Sequence, residues 1–128
     1  MSREQHRLRA ILYLGGAIAT GAGLQTVLTG GRSFPPWRRA SPMLESEVRF
    51  YSAYYVGYGL AMLRTAGRAE REPMAVRALA GTLFLAGVAR AGAWVSVGRP
   101  HPFQQFLLAA ELAIPPLVLA QQARAATT

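Results

Sequence analysis

Four stretches of this chain are almost free of charge, and short polar segments separate them. The first runs from Leu8 to about Leu28, the second from about Val48 to Leu63, the third from about Met74 to Val97, and the fourth from about Phe103 to Ala120. A helix needs roughly 17 to 25 mainly apolar residues to cross the hydrocarbon core of a bilayer. The pattern therefore predicts an all-α, polytopic membrane protein, a single domain over residues 1–128 built as a bundle of four transmembrane helices. The second stretch is the shortest and least apolar because it carries Tyr51, Tyr54, Tyr55 and Tyr58. The third is interrupted by Arg90, and the fourth contains Glu111 and the pair Pro115-Pro116.

The connections agree with this partition. Gly30 to Leu44 is rich in Gly, Pro and Arg, and its prolines break any helix running through it. Arg64 to Glu72 carries both signs of charge, and Gly98 to Pro102 reads as a tight turn. No repeat or linker divides the chain. The start, with Arg3, Arg7 and Arg9 before an apolar run, also has the layout of a signal peptide. The run is long enough to span, however, and is read as the first membrane helix.

Composition sharpens the membrane reading. Of the 128 residues 52% are hydrophobic and 16% charged, where a soluble domain carries about a quarter charged residues. All fourteen basic residues are Arg and all six acidic ones Glu, with no Lys, Asp or Asn, a usage that suggests a GC-rich bacterial genome. The formal charge of +8 does not concentrate on one face, as nucleic-acid binding requires; it punctuates apolar runs, which suits anionic lipid head groups. With no Cys there is no disulfide framework or thiolate metal site. Arginine bias sets the orientation. With both termini inside, eight arginines (3, 7, 9, 64, 68, 71, 77 and 124) face the cytoplasm and four (32, 38, 39 and 99) face out, which favours N-in, C-in in the cell membrane.

An ionised group in hydrocarbon costs about 2.5 to 3.5 kcal/mol on insertion scales, so it turns inward and finds a partner. Arg90 is seven residues from the outer end of the third segment, and Glu111 eight from that of the fourth. At 1.5 Å per residue both lie roughly 11 to 12 Å deep. A short turn makes these helices antiparallel neighbours, so an Arg90–Glu111 pair is expected. Glu47, Tyr51, Tyr54 and Tyr58 follow the i, i+4, i+7, i+11 spacing of one helical stripe. With Arg49 and with Gln25 at a comparable level, they are expected to join Arg90 and Glu111 in a polar cluster in the outer half of the bundle, a possible ligand-binding site. The same residues also fit a purely structural role: charges locking helix pairs, and tyrosines forming an interfacial belt.

Small residues mark helix contacts. Gly15, Ala19 and Gly23 form a ladder on the first segment, and Gly87 and Ala91 on the third, while Gly57 and Gly59 admit a neighbour to the second. Pro115-Pro116 should kink or break the fourth helix and free backbone carbonyls near Glu111. His6 and His101 lie in separate polar regions, so no metal site is expected, and no catalytic triad, phosphate loop or cofactor motif is present.

Glu47-x-Arg49-x-Tyr51 opening a Gly-containing second helix, followed by Arg90 in the third and Glu111 in the fourth, resembles the bacterial family of small four-helix membrane proteins catalogued as domain of unknown function 4345. The resemblance covers nearly the whole chain. Members commonly carry a Gly pair where this chain has Ser52 and Ala53, a departure that bears on helix contacts rather than on the fold. The family implies an architecture and no activity. The run Tyr13-Leu14-Gly15-Gly16-Ala17-Ile18 is also similar to the opening of small multidrug-resistance transporters, but their mechanism needs a carboxylate in the first helix, and this first span has none.

The expectation is a non-enzymatic, lipid-contacting accessory subunit of a membrane assembly, without cofactor or nucleic acid and with other membrane subunits or a second copy as partners. A small carrier or channel for a polar solute or proton, using Glu47, Arg49, Arg90 and Glu111, is the alternative. A lipid-acting enzyme with Glu47 or His101 as general base is a weaker one.

Overall fold

The computed structural model describes residues 1–30 and 41–127. Most of the Gly30–Leu44 connection, with Arg32, Arg38 and Arg39, lies outside the described residues. The described chain is all-α, with four helices in order: α1 (Arg3–Thr29), α2 (Pro42–Ala66), α3 (Pro73–Val97) and α4 (Pro102–Ala126).

Each helix starts on a local signal. Ser2 and Gln5 form a reciprocal capping box at α1: the Gln5 N–H donates to the Ser2 hydroxyl (3.2 Å), and the Ser2 N–H donates to the Gln5 side-chain oxygen Oε1 (2.7 Å). α2 starts at Pro42 behind Ser41, whose hydroxyl accepts the Leu44 N–H at 3.2 Å. This corrects the sequence expectation of a loop up to Leu44. Apolarity marks only where the nonpolar part of a helix starts, whereas the Ser-Pro cap marks where the helix itself begins, and the polar first turns of α2 lie between the two. His101 starts α4 in the same manner: its Nδ1 accepts the Phe103 N–H, and Pro102 takes the first helical position. Gly98, at φ 125°, ends α3 in a conformation that side chains disfavour.

α4 is not broken at Pro115-Pro116 but continues through both. The two prolines lack the N–H groups that would bond the Glu111 and Leu112 carbonyls. Even so, the helix is held against α3 on either side of the prolines, through Glu111 and through Gln122.

α1, α3 and α4 are long and apolar enough to cross a membrane; α2 has the length but not the apolarity. On α3 and α4 apolar residues point all round. Leu85 (67% exposed), Val95 (88%), Phe106 (68%) and Leu117 (59%) are mostly uncovered by protein. In water each would forfeit about 1.5 to 3 kcal/mol of burial. Surrounding hydrocarbon would remove that cost.

The chain divides into two compact units: Met1–Arg9 with Arg68–Thr128, and Ala10–Gly67. The first contains α3 and α4, packed antiparallel, together with the first turns of α1. Arg9 meets Glu70 there in a forked pair, Nε at 2.8 Å and Nη2 at 2.7 Å from the two carboxylate oxygens. In the second unit α1 and α2 run antiparallel with their backbones nearly touching. A Cβ added to Gly59 would lie 2.5 Å from the Thr20 nitrogen and 2.9 Å from the Gly16 carbonyl oxygen. One added to Gly23 would lie 2.9 Å from the Val56 nitrogen. The contact ladder on α1 is thus Gly16, Thr20 and Gly23, offset by one residue from the expected Gly15 and Ala19. Gly15 faces only the flexible end of Met62, and Gly57 faces open space.

Candidate functional site

The eight residues singled out in the sequence fall into both units: Arg90 and Glu111 in the first, Gln25, Glu47, Arg49, Tyr51, Tyr54 and Tyr58 in the second.

In the first unit Arg90 and Glu111 meet, as their matched depths require. The Arg90 Nε donates to both carboxylate oxygens, at 3.0 and 2.8 Å. Nη1 donates to the side-chain oxygen of Gln104. Glu111 is 5% exposed. Gln104 lies two helical turns before Glu111 on the same stripe of α4, so one guanidinium spans both. Gly87 makes room for the contact: a Cβ there would lie 3.1 Å from the Glu111 Cβ and 2.8 Å from Leu112 Cδ2. Thirteen residues earlier on α3 a second polar contact repeats the device. The Arg77 Nε donates to the buried Gln122 side-chain oxygen at 3.2 Å, and the Gln122 amide donates to the Pro73 carbonyl at 2.9 Å.

In the second unit the residues have separate settings. Arg49 donates from Nε to Glu45 (3.2 Å) and from Nη1 to the Val27 carbonyl (3.4 Å), capping the last turn of α1, where a cation also meets the negative end of the helix dipole. Its carboxylate partner is thus Glu45, one turn before it, and not Glu47. Glu47 is exposed and forms no ion pair or hydrogen bond among the described residues. Tyr51 and Tyr54 are exposed and meet Phe50 edge-on, with ring centroids 5.4 and 5.1 Å away. Tyr58 is half-buried and stacks on Tyr55 at 6.4 Å. Gln25 is exposed, and its backbone carbonyl accepts the Thr29 hydroxyl. The tyrosines at 51, 54 and 58 therefore lie off the α2 face that meets α1, which is formed by Ser52, Val56 and Gly59. A shallow, open hollow beside Ala53, Tyr54, Gly57 and Tyr58 marks that outer face.

Sequence reasoning missed Gln104 and Glu45. Both carried a signal: Gln104 precedes Glu111 by seven residues and Glu45 precedes Arg49 by four, each spacing one that stacks side chains on a helix face.

These observations define an all-helical protein with three helices fit to cross a membrane and, within one helix pair, an arginine and a glutamate spent on each other. The chain belongs to the family described as Domain of unknown function (DUF4345), whose model matches residues 7–122. No curated protein and no solved structure matches it.

Proposed function

We propose that this chain is a non-enzymatic, multi-pass protein of the bacterial plasma membrane, acting as a lipid-contacting accessory subunit of a membrane assembly. The observation that carries this reading is the Arg90–Glu111–Gln104 contact. Both carboxylate oxygens are occupied by one guanidinium, so the charges that would otherwise mark a transport or reaction centre cancel within 2.8 Å. A carboxylate that shuttles protons must exchange them with solvent, and Glu111 is buried. Large apolar residues around α3 and α4 supply surface for lipid or for another subunit.

All four helices cross, with both termini in the cytoplasm. α2 is the weak member of the set, and its polar first turns, with the Glu45–Arg49 pair, sit at the head-group level. Reporter fusions at the two ends decide this by parity. Four crossings place the termini on one side of the membrane; three place them on opposite sides and would remove α2 from the bilayer.

Function is tested with the tagged chain extracted from native membranes in mild detergent and, separately, reconstituted into vesicles. An accessory subunit co-purifies with a membrane partner in fixed stoichiometry and adds no proton or solute flux to the vesicles. A clean monomer or homodimer, with flux that rises with the amount of protein, would replace this reading with the carrier or channel.

A further inference from the structure

At one pole of the first unit meet the start of α1, the turn over residues 68–72, the start of α3 and the end of α4. The Arg9–Glu70 fork and the Gln122–Pro73 bond tie these elements together. Seven arginines stand there against three glutamates. The acids are all engaged: Glu4 by Arg7, Glu70 by Arg9 and Glu72 by Arg68. Arg3, Arg71, Arg77 and Arg124 remain, with no salt bridge among the described residues, Arg71 adding only a weaker charge interaction with the Glu70 already held by Arg9. The opposite pole of the unit offers Arg99 alone, since Arg90 is neutralised by Glu111.

Arg77 is the most organised of the four. Gln122, itself buried, is fixed by its bond to the Pro73 carbonyl and receives the Arg77 Nε. Nη1 reaches only the Met74 sulfur, at 4.0 Å, and Nη2 has no partner among the described residues. The guanidinium is thus held by a neutral anchor along one edge, its full charge unspent and its remaining N–H groups turned outward. That is the geometry in which arginine takes two oxygens of a phosphate. Its distance from the helix start places it at the level where apolar α3 leaves the bilayer.

We propose that this pole is a phosphate-binding site for anionic phospholipid, with Arg77 as the primary ligand and Arg71 and Arg124 completing the positive field. It rests on the membrane reading above and gives its lipid contact a place and a chemistry. Basic clusters between helix ends on the cytoplasmic side recognise anionic head groups in this manner. The charge excess at this pole also puts it inside by arginine bias.

The test uses the full chain, purified in a neutral detergent and titrated with phosphatidylglycerol, phosphatidylcholine or inorganic phosphate, with bound lipid read by native mass spectrometry. Phosphatidylglycerol should be retained selectively. Arg77→Gln should weaken its retention about fivefold, the step that one basic residue near an anionic surface is worth, and Arg71→Gln by a smaller factor. Arg99→Gln should change nothing. The Arg71 side chain makes no hydrogen bond among the described residues, so it serves as the second variant should Arg77→Gln disturb folding through Gln122. Equal retention of phosphatidylcholine, or equal losses from Arg71→Gln and Arg99→Gln, overturns the site. Saturation by inorganic phosphate alone would make it a soluble-anion site and also overturns the proposal. A chain that stays in the aqueous phase without detergent instead refutes the membrane reading itself.

Discussion

The α1–α2 pair and the α3–α4 pair are joined by opposite means. α1 and α2 meet backbone to backbone at Gly16, Gly23 and Gly59, with no ion pair between their central turns among the described residues. α3 and α4 meet through two polar contacts, Arg90–Glu111–Gln104 and Arg77–Gln122–Pro73, with a single glycine, Gly87, where the first forms. Lipid supplies no hydrophobic force between helices, so association rests on close packing or on hydrogen bonds. A glycine contact tolerates any chemistry nearby but no added volume. A charged contact tolerates volume changes around it but not the loss of either partner.

The largest expected effect falls on the charged pair. Glu111→Gln leaves the Arg90 guanidinium without its counter-charge; a fully buried pair loses about 3 to 5 kcal/mol in this way, and with Glu111 buried but Arg90 partly exposed the loss here falls toward the lower end. It should appear as a collapse of folded yield in detergent. Next is Gly59→Leu, whose side chain would run into the Thr20 and Gly16 backbone, which cannot move aside as a side chain can. Overpacking of this kind costs about 1 to 3 kcal/mol or more. The melting temperature should drop, while Gly57→Leu, facing open space, leaves it within error. Gly87→Ala should be milder, because its new methyl meets the movable Leu112 Cδ2 first and the Glu111 Cβ at 3.1 Å. Alanine's better helix propensity, about 1 kcal/mol over glycine, offsets much of that strain. Melting of the three glycine variants should therefore rank Gly59→Leu lowest, then Gly87→Ala, then Gly57→Leu level with wild type.

The smallest effect is at the surface. The Arg9 guanidinium beside Glu70 holds its carboxyl below the usual carboxylate range. A depressed folded pKa stabilises the fold at pH above the unfolded value of about 4.3, and that stability is lost as pH falls through the folded value. Glu70→Gln should therefore cost at most about 1 kcal/mol at neutral pH and nothing once wild-type Glu70 is itself protonated. Parallel melting curves at pH 7 and in strong acid check the sign.

How much of this was legible depended on how sparse each signal was. Two charges in otherwise apolar segments at equal depth left Arg90 and Glu111 one sensible arrangement, and they adopt it. The α1 ladder was ambiguous because Gly15, Gly16, Ala17, Ala19, Gly21, Ala22 and Gly23 place small residues on every face. The structure selects the face of Gly16 and Gly23. Hydropathy could not show the start of α2, since its first turns are polar; the Ser41-Pro42 cap was the visible sign. Proline chemistry rightly removes two helical hydrogen bonds from α4, but packing on either side carries the helix through. That Tyr51 and Tyr54 meet Phe50 while Tyr58 meets Tyr55 was not encoded in the single stripe that their spacing draws.

The most direct measurement compares three variants in the same detergent: Glu111→Leu, Arg90→Leu and the two combined. If the guanidinium and carboxylate serve to join α3 to α4, each single change lowers the melting temperature sharply. The double change recovers most of the loss, because no unpaired charge remains between the helices. Single variants that melt like wild type, or a double variant whose loss is the sum of the two, would contradict the claim that these charges exist for each other.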